Sequence, residues 1–257
     1  MYLSSALKRD GHIVDLYKYK DKNALQVFLA ISQPDVVGLS MTTGQHVGLL
    51  KIAATVKECN SKIIVVVGGA HPTYFPEVSN NPDIDYAVRG EADYSFPEFI
   101  YNLALGGKPK NKLIDDHTLP DDLDKIPFPD RSIVYQYKDY YENGVRNVLT
   151  SRGCPFNCAY CYNSSYKKMY KGQKTVRYRS PENIIRECKE VMQLYPTNMF
   201  FFADDEFSMN INRLKEIKDL YVKNIKLPFH CQIRIDLLNE ERIKILKDMG
   251  CFSLTFA

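Results

Sequence analysis

The sequence lacks tryptophan, has little net charge, and contains no long hydrophobic run. A formal net charge of +3 over 257 residues points to neither a nucleic-acid partner nor a membrane surface. No apolar stretch reaches the roughly 18 residues that cross a bilayer. The first residues, MYLSSALKRDGH, lack the apolar core and cleavage site of a signal peptide. We therefore expect a cytoplasmic protein without a membrane span.

Cysteines are present, and their distribution is uneven. In a reducing compartment, clustered cysteines indicate metal or redox sites rather than disulfides. Single cysteines in apolar segments usually pack as small hydrophobic side chains, and we expect this of Cys59, Cys188, Cys231 and Cys251. The other three crowd into the stretch SRGCPFNCAYCYN, residues 151–163, as Cys154, Cys158 and Cys161.

Four interpretations of this triplet compete. A zinc site needs four ligands, usually as two separated pairs, and no second pair is evident. A ferredoxin-type electron carrier needs four cysteines per cluster. A disulfide would leave one thiol over and would be unusual in the expected compartment. Three cysteines on a 4Fe–4S cluster leave one iron free to bind a substrate or cofactor.

The first hundred residues alternate between strand and helix patterns. Runs rich in β-branched residues predict strands, and apolar residues at helical spacing predict helices over 47–56 and 96–105. Such alternation is typical of a parallel sheet with helices on both faces. The predicted strands are HIVDLY (12–17), DVVGLS (35–40), KIIVVV (62–67) and DYAV (85–88).

A proline-rich, charged stretch over 106–131 predicts an extended connection, after which a second strand–helix series begins. We expect domains at 1–105 and 145–257, with a linker at 106–144. Four successive strands in the second series predict part of a β/α (TIM-like) barrel, with the cysteine loop at the carboxyl end of its first strand. The predicted elements are strands at 145–151, 198–203, 228–235 and 251–257, and helices at 182–194, 210–223 and 238–248, the first of these helices capped by Ser180 with Pro181 at its first position.

The spacing C-x3-C-x2-C, with Tyr160 directly before the last cysteine, resembles the radical S-adenosylmethionine (SAM) superfamily. The resemblance implies that Cys154, Cys158 and Cys161 hold a 4Fe–4S cluster whose open iron binds the methionine part of SAM. A flavodoxin- or ferredoxin-type partner would supply the electron. Reductive cleavage of SAM would then give a 5′-deoxyadenosyl radical, which abstracts hydrogen from an unreactive carbon.

Further residues match the SAM site of this superfamily. In relatives, the end of the second barrel strand holds polar residues that bind the SAM amino group, and here FFFADDEF supplies Asp204, Asp205 and Glu206. A solvated turn capping the next helix is the alternative. Tyr160 is expected near the adenine, or else simply packs. Arg234 either faces the same site or forms a salt bridge.

Three segments of the first domain resemble the cobalamin-binding domain fused before one radical SAM branch: DVVGLSMTTGQHV, VVVGGAHPTYFPE and DYAVRGEAD. The resemblance implies a Rossmann-like (flavodoxin-type) fold whose carboxyl-edge loops hold the corrin, with glycine allowing close approach and hydroxyls donating hydrogen bonds. His46 lacks the D-x-H-x-x-G context of a cobalt ligand and is expected to begin a helix, whereas His71 serves the tail pocket or a loop. The matching positions are Ser40, Met41, Thr42, Thr43, Gly68, Gly69, Ala70, Gly90 and Glu91.

The resemblance also implies that both ends of the chain are cut. No strand precedes the helix expected near residues 2–10, and CFSLTFA stops inside a strand. The sequence as a whole indicates a cobalamin-associated radical SAM enzyme acting on a small molecule by methyl transfer, cyclisation or related chemistry, with no catalytic side chain assigned. The alternatives are an RNA-modifying radical SAM enzyme, suggested by the basic stretch YKKMYKGQKTVRYR (166–179) unless that is a solvated loop, and a non-catalytic iron–sulfur protein or sensor.

Overall fold

The computed structural model describes residues 1–115 and 118–256, which separate into two compact units. Residues 3–118 form one unit, and residues 1–2 together with 119–257 form the other. Each unit contains its own parallel sheet. In the part of the chain described, no helix combines the length and the apolar character that a membrane crossing requires.

The unit of residues 3–118 is built on a four-stranded parallel sheet with the order β1-β2-β3-β4. Its strands are β1 (Val36–Ser40), β2 (Ile64–Gly68), β3 (Tyr86–Arg89) and β4 (Leu113–Asp115). The accompanying helices are α1 (Tyr2–Arg9), α2 (Lys22–Ser32), α3 (His46–Cys59), α4 (Ala70–Tyr74) and α5 (Ser95–Ala104), with a 3₁₀ turn at Pro76–Asn80.

Strand β2 is covered on both faces, as its unbroken apolar sequence predicts. Val65 packs with Leu25 of α2 and Val56 of α3. The next residue, Val66, faces the other way and packs with Phe99 of α5. Helices therefore lie on both sides of the sheet, and the prediction of a doubly wound α/β fold is confirmed.

The prediction of a strand at 12–17 is wrong. This segment is assigned to no strand, and the side chain of Ile13 is fully exposed. The backbone N–H of His12 instead donates to Leu7 O and closes the end of α1. A β-branched composition favours extended backbone but cannot supply a neighbouring strand, and no ladder within the described residues includes this segment. Conversely, β4 lies inside the segment predicted as a linker.

The second unit contains another four-stranded parallel sheet, with the order β10-β9-β8-β5, and a short antiparallel pair, β6 with β7. The strands are β5 (Val145–Val148), β6 (Ser151–Arg152), β7 (Arg177–Tyr178), β8 (Met199–Phe202), β9 (Phe229–Ile233) and β10 (Cys251–Phe256). The helices are α6 (Ser132–Tyr135), α7 (Lys138–Glu142), α8 (Tyr162–Met169), α9 (Pro181–Leu194), α10 (Ile211–Asn224) and α11 (Glu240–Met249), with 3₁₀ turns at Leu123–Lys125 and Ile235–Leu237.

The two faces of this sheet differ in character. Val148, Phe202 and Cys231 align in register across three strands and are buried with residues of α9, α10 and α11. Their neighbours Asn147 and His230 face the opposite side and are not buried. One covered face on a series of parallel strands confirms the prediction of part of a β/α barrel.

Two smaller predictions are also settled by this unit. Ser180 Oγ accepts from Asn183 N at 3.1 Å, with Pro181 at the first helical position, so the predicted start of α9 is confirmed. Cys188 and Cys231 are buried in the apolar core, as expected of small hydrophobic side chains. The same expectation is wrong for Cys59, which ends α3 in the other unit and is exposed there.

Candidate functional site

The cysteine loop leaves β5 at its carboxyl end. The chain passes through Thr150 and the short strand β6, turns at Gly153, and continues to the start of α8. Gly153 has φ +81°, and a Cβ there would overlap Thr175 O. Only glycine meets both conditions without strain. The loop is therefore directed by backbone geometry before the first cysteine is reached.

The three cysteines of the loop are free thiols and only partly buried. Cys161 N donates to Cys158 O at 3.1 Å, so the last two cysteines close a tight turn directly before α8. Burial raises the pKa of the Cys154 thiol, and the nearby Asp205 carboxylate acts in the same direction. Since no disulfide forms, all three sulfurs remain available as ligands.

The three thiols fit a 4Fe–4S cluster by their chemistry. Such clusters are held by cysteine thiolates, and the loop carries three cysteines that form no disulfide. Among the residues that the structure describes, no group of three His, Cys, Asp or Glu side chains forms a ready-made site for one metal ion.

Two cationic side chains hold the loop. Lys167, on α8, donates through Nζ to Pro155 O at 2.7 Å and to Phe156 O at 2.6 Å. Arg234, after β9, donates through Nη1 to Cys158 Sγ at 3.2 Å. Arg234 also forms a salt bridge with Asp236 at 2.6 Å. The salt bridge considered for Arg234 is therefore present, and the same side chain also contacts the cysteine loop.

Asp204 joins the ends of β8 and β5. Its carboxylate accepts from Thr150 N at 2.6 Å and from Ser151 N at 3.3 Å, and the two hydroxyls of these residues donate to its other oxygen. The side chain is 1% exposed, and burial raises its pKa against the opposing effect of these hydrogen bonds. Its observed contacts all serve the loop that leads to the cysteines.

The other two acidic candidates differ in accessibility. Asp205 is exposed and accepts from Asn163 Nδ2 at 3.1 Å, at the start of α8. Glu206 is 3% exposed and accepts from Ser208 N at 2.9 Å and from the backbone N–H of Arg234. Asp205 thus offers the most accessible carboxylate of the three.

Tyr160, the aromatic candidate, is 87% exposed within the loop. Its ring lies directly before Cys161 and is open to solvent, so a packing role inside the unit does not account for it. An exposed aromatic face beside three thiols can stack on a planar ligand.

A buried ionic group holds the backbone of β5 in place. Glu187 of α9 is fully buried between two arginines, with Arg131 Nη2 at 2.6 Å from its carboxylate and Arg179 on the other oxygen. Arg131 also donates to Asn147 O at 2.7 Å and Arg179 to Leu149 O at 2.7 Å. The group therefore fixes the backbone of β5 and of the residues that follow it.

The basic stretch 166–179 is a solvated loop only in part. Half of its cations serve the fold: Lys167 holds the cysteine loop, Arg177 donates to Pro120 O at 3.1 Å, and Arg179 pairs with Glu187. The exposed cations of the stretch are Lys168, Lys171 and Lys174. Fewer charges are thus free to attract RNA than the sequence suggested.

The candidate cobalamin residues lie at the carboxyl edge of the other sheet. Met41 N donates to Gly68 O at 2.7 Å, and His71 N donates to Met41 O at 2.9 Å, so the first two loops interlock. Gly69 has φ +95°, and a Cβ there would meet Met41 O at 3.0 Å. Thr73 Oγ1 accepts from Gly90 N at 3.1 Å and ties in the third loop.

The edge combines a buried support with exposed small residues. Met41 is completely buried, whereas its neighbours expose small or hydroxyl side chains. Gly90 and Glu91 are half-buried in the third loop. The exposed set is Ser40, Thr42, Thr43, Gly69 and Ala70, with Gly68 half-buried beneath it.

The two histidines at this edge stack on each other. The rings of His46 and His71 lie 4.0 Å apart, and His71 Nδ1 is 3.2 Å from Thr43 Oγ1. Burial lowers the pKa of His71, and the neighbouring His46 lowers it further. His46 begins α3, which confirms that part of its sequence interpretation.

Several contributors to the site were missed by sequence reasoning. Thr150, Ser151 and Asn163 carry hydrogen bonds to the acidic loop. Lys167 was not singled out, because it is one of several cations in the basic stretch 166–179. The pair Thr150-Ser151 could have been noticed, because hydroxyl residues directly after a barrel strand lie at the chemical end of the sheet.

Comparison with known proteins identifies both units. Residues 1–100 match the model of the B12 binding domain, and residues 148–257 match the model of the radical SAM superfamily. The fold is similar to that of TsrM from Kitasatospora setae, a radical S-adenosylmethionine methyltransferase solved with cobalamin and a [4Fe-4S] cluster bound. The TM-score is 0.74 at 17% identity, covering 100% of this chain and 55% of that one.

Curated relatives extend over most of the chain. An uncharacterized methyltransferase of Pyrococcus horikoshii is 31% identical over 244 residues, which is 87% of this chain and 51% of the relative. An anaerobic magnesium-protoporphyrin IX monomethyl ester cyclase of Rubrivivax gelatinosus is 26% identical over 270 residues, 94% of this chain and 47% of the relative. The chain spans about half the length of these relatives.

Proposed function

Because the chain belongs to the radical SAM superfamily and carries a B12 binding domain ahead of its radical SAM domain, we propose that the protein is a cobalamin-associated radical SAM enzyme. The observation that supports this most directly is the set of three free thiols on one loop at the carboxyl end of β5. Cys154, Cys158 and Cys161 would hold a 4Fe–4S cluster. When bound and reduced, such a cluster supplies the electron that cleaves SAM to methionine and a 5′-deoxyadenosyl radical.

The residues around the loop keep its ligands in place. Lys167 binds two loop carbonyls, and Asp204 fixes the segment between β5 and the first cysteine. These contacts determine where the thiols stand before any ligand arrives, which lowers the cost of ordering them on binding.

For SAM, we propose Asp205 as the acceptor of the ammonium group. Its carboxylate is exposed and lies at the end of β8, and an ionised acceptor makes a strong hydrogen bond to an ammonium. Tyr160, with its exposed ring, is the proposed contact for the adenine. Asp204 and Glu206 are engaged by backbone donors and are proposed to orient this loop.

For cobalamin, the proposed site is the carboxyl edge of β1, β2 and β3. Glycines at this edge let a large ligand approach the backbone. The exposed hydroxyls offer hydrogen bonds to its side chains. The proposed contacts are Ser40, Met41, Thr42, Thr43, Gly68, Gly69, Ala70, Gly90 and Glu91.

The reaction class follows the named relatives only broadly. One is called a methyltransferase and the other a cyclase acting on a porphyrin ester. We propose methyl transfer or ring formation on a small molecule, with a flavodoxin- or ferredoxin-type protein as electron donor. A reducing compartment would preserve the free thiols and the cluster, so we propose the cytoplasm as its location.

Anaerobic reconstitution with iron and sulfide tests this function. The wild-type chain is expected to bind about four irons per chain and, after reduction with SAM present, to form 5′-deoxyadenosine. Replacing Cys154, Cys158 or Cys161 by alanine removes a ligand and is expected to abolish most iron binding. Iron content and visible absorbance measure the first effect, and chromatography of the products measures the second.

Cys188→Ala is the matched control. Its thiol is buried in the apolar core away from the loop, so the variant should keep wild-type iron content. Iron loss in this control equal to that of Cys158→Ala would contradict the three-ligand site. A full cluster that yields no 5′-deoxyadenosine would favour the non-catalytic iron–sulfur alternative.

A further inference from the structure

We propose that Arg234 positions Cys158 and raises the reduction potential of the cluster that the cysteine loop would hold. This inference rests on the proposed function, since it requires that cluster. The role concerns one side chain that lies 76 positions away from its sulfur partner in the sequence.

The guanidinium of Arg234 contacts the middle of the cysteine loop in two ways. Nη1 donates to Cys158 Sγ at 3.2 Å. The guanidinium carbon lies 3.8 Å from the centroid of the Phe156 ring, which is the geometry of a cation–π contact. Together these contacts hold the sulfur and the aromatic ring two residues before it.

Arg234 is itself held from the opposite side. Asp236 accepts from Nε at 3.0 Å and from Nη2 at 2.6 Å, so the planar fork is bound on one edge and donates to sulfur from the other. The backbone N–H of Arg234 donates to Glu206. The side chain therefore reaches the loop along a route fixed by β9 and by the loop after β8.

The contact has an electrostatic consequence for a bound cluster. An arginine keeps its positive charge at all accessible pH values. Hydrogen bonds to cluster sulfurs and nearby charge are among the factors that set the potentials of iron–sulfur proteins. A reduced cluster carries one more negative charge than an oxidised one, so the cation stabilises the reduced form more and makes reduction easier.

Two neighbouring carboxylates reduce this effect without cancelling it. Asp236 pairs with Arg234 on the edge away from the sulfur, and Asp205 acts on Cys154 at the other end of the loop. The donor at 3.2 Å from Cys158 Sγ contacts a ligand atom directly. Because Coulomb energy falls with distance, the positive charge of Arg234 beside this sulfur outweighs the negative charge of Asp236 on the far edge of the guanidinium.

The test compares Arg234→Gln and Arg234→Lys with the wild-type chain after anaerobic reconstitution. Glutamine removes the charge, and lysine keeps it while losing the planar fork that reaches Cys158, Phe156 and Asp236 together. Arg186→Gln is the matched control, because Arg186 is exposed on α9. Iron content is measured first, and the midpoint potential is then obtained by redox titration followed by electron paramagnetic resonance.

The expected midpoint of Arg234→Gln is more negative than that of wild type by a tenfold change in the reduction equilibrium, about 59 mV for one electron. The midpoint potential of Arg234→Lys should lie between these two values, and that of Arg186→Gln should equal the wild-type value. If Arg234→Gln loses its iron, the midpoint potential of Arg234→Lys tests the inference instead, because it should still be more negative than that of wild type.

The outcomes separate the inference from the function on which it rests. A wild-type chain that forms no cluster contradicts the proposed function and this inference together. A wild-type chain with a normal cluster, beside Arg234 variants of unchanged midpoint, overturns the inference alone. A shift of equal size in Arg186→Gln overturns it as well, since the effect would then be one of overall charge.

Discussion

Asp204 illustrates how one residue can appear functional in sequence and be occupied in structure. Three acidic residues in a row at the end of a barrel strand suggested three equivalent candidates for binding an ammonium group. The structure separates them, because Asp204 is buried under donors from Thr150 and Ser151 whereas Asp205 is exposed. Sequence order placed all three at the correct edge, but only tertiary contacts distinguish their surroundings.

The pKa of Asp204 leads to a prediction about stability and pH. Burial raises this pKa above the unfolded value of 3.8. Above pH 3.8 this carboxyl ionises in the unfolded chain before it ionises in the folded protein. The free energy of unfolding that the group contributes is therefore lost as pH rises from 3.8 through the folded pKa. In Asp204→Asn this side chain does not titrate, and its amide can still form hydrogen bonds with Thr150 and Ser151. We expect its melting temperature relative to wild type to be higher at pH 7 than at pH 4.5.

Asp204→Ala provides the contrast to this variant. It leaves the buried donors of Thr150 and Ser151 without an acceptor, which costs about 1–3 kcal/mol. We therefore expect it to melt below wild type at both pH values. Identical relative melting temperatures of Asp204→Asn at the two pH values would contradict a raised pKa.

The residues that could be predicted are those whose partners are close in sequence. The start of α9 follows from Ser180 and Pro181, and the proposal that the three cysteines bind a cluster likewise comes from their local spacing. Arg234 and Cys158, by contrast, are 76 positions apart, and no local pattern links them. Thr150 and Asp204, 54 positions apart, are similarly brought together only by the pairing of β5 with β8.

At the scale of elements, the link between α9 and β5 depends on a buried carboxylate. Glu187 neutralises Arg131 and Arg179, and both arginines hold carbonyls of β5 or of the residue after it. We expect Glu187→Gln to destabilise this unit by about 3–5 kcal/mol, because two buried cations would lose their counter-charge. Thermal unfolding followed by circular dichroism measures the effect.

Glu190→Gln is the control on the same helix. Glu190 is exposed, and a surface substitution of this kind usually changes stability by less than about 0.5 kcal/mol. Equal destabilisation by the two variants would show that charge on α9, rather than the buried contact, matters.

Strands were predicted well where the sheet supplied neighbours on both sides. The apolar run at 62–67 became β2, which pairs with β1 and β3. The similar run at 12–17 joined no ladder, and β4 was missed in a proline-rich stretch because its three residues are too few to give a periodic signal. Pairing is a tertiary property, and composition reports only the preference for extended backbone.

At the scale of the whole molecule, two units have separate apolar cores. A ligand stabilises only the structure that binds it. We expect the full chain to melt in two steps in calorimetry, with hydroxocobalamin raising only the transition that belongs to residues 3–118. A shift of both transitions would contradict a cobalamin site confined to that unit.

The same preparation tests the role of His46. This residue begins α3 and stacks on His71, and we assign it no bond to cobalt. His46→Ala should leave the absorption spectrum of bound hydroxocobalamin unchanged. A spectral shift in this variant would show that the assignment of the loop is wrong.

The contacts that hold the cysteine loop have a consequence for how freely its sequence can vary. Lys167 binds the carbonyls of Pro155 and Phe156, and Arg213 and Arg179 bind those of Thr150 and Leu149. A carbonyl is the same whatever side chain it accompanies, so these contacts are indifferent to residue identity. Exposed positions such as Asn157 and Ala159 can therefore be exchanged in a designed library to change what the loop presents to a ligand, while the path of its backbone is retained.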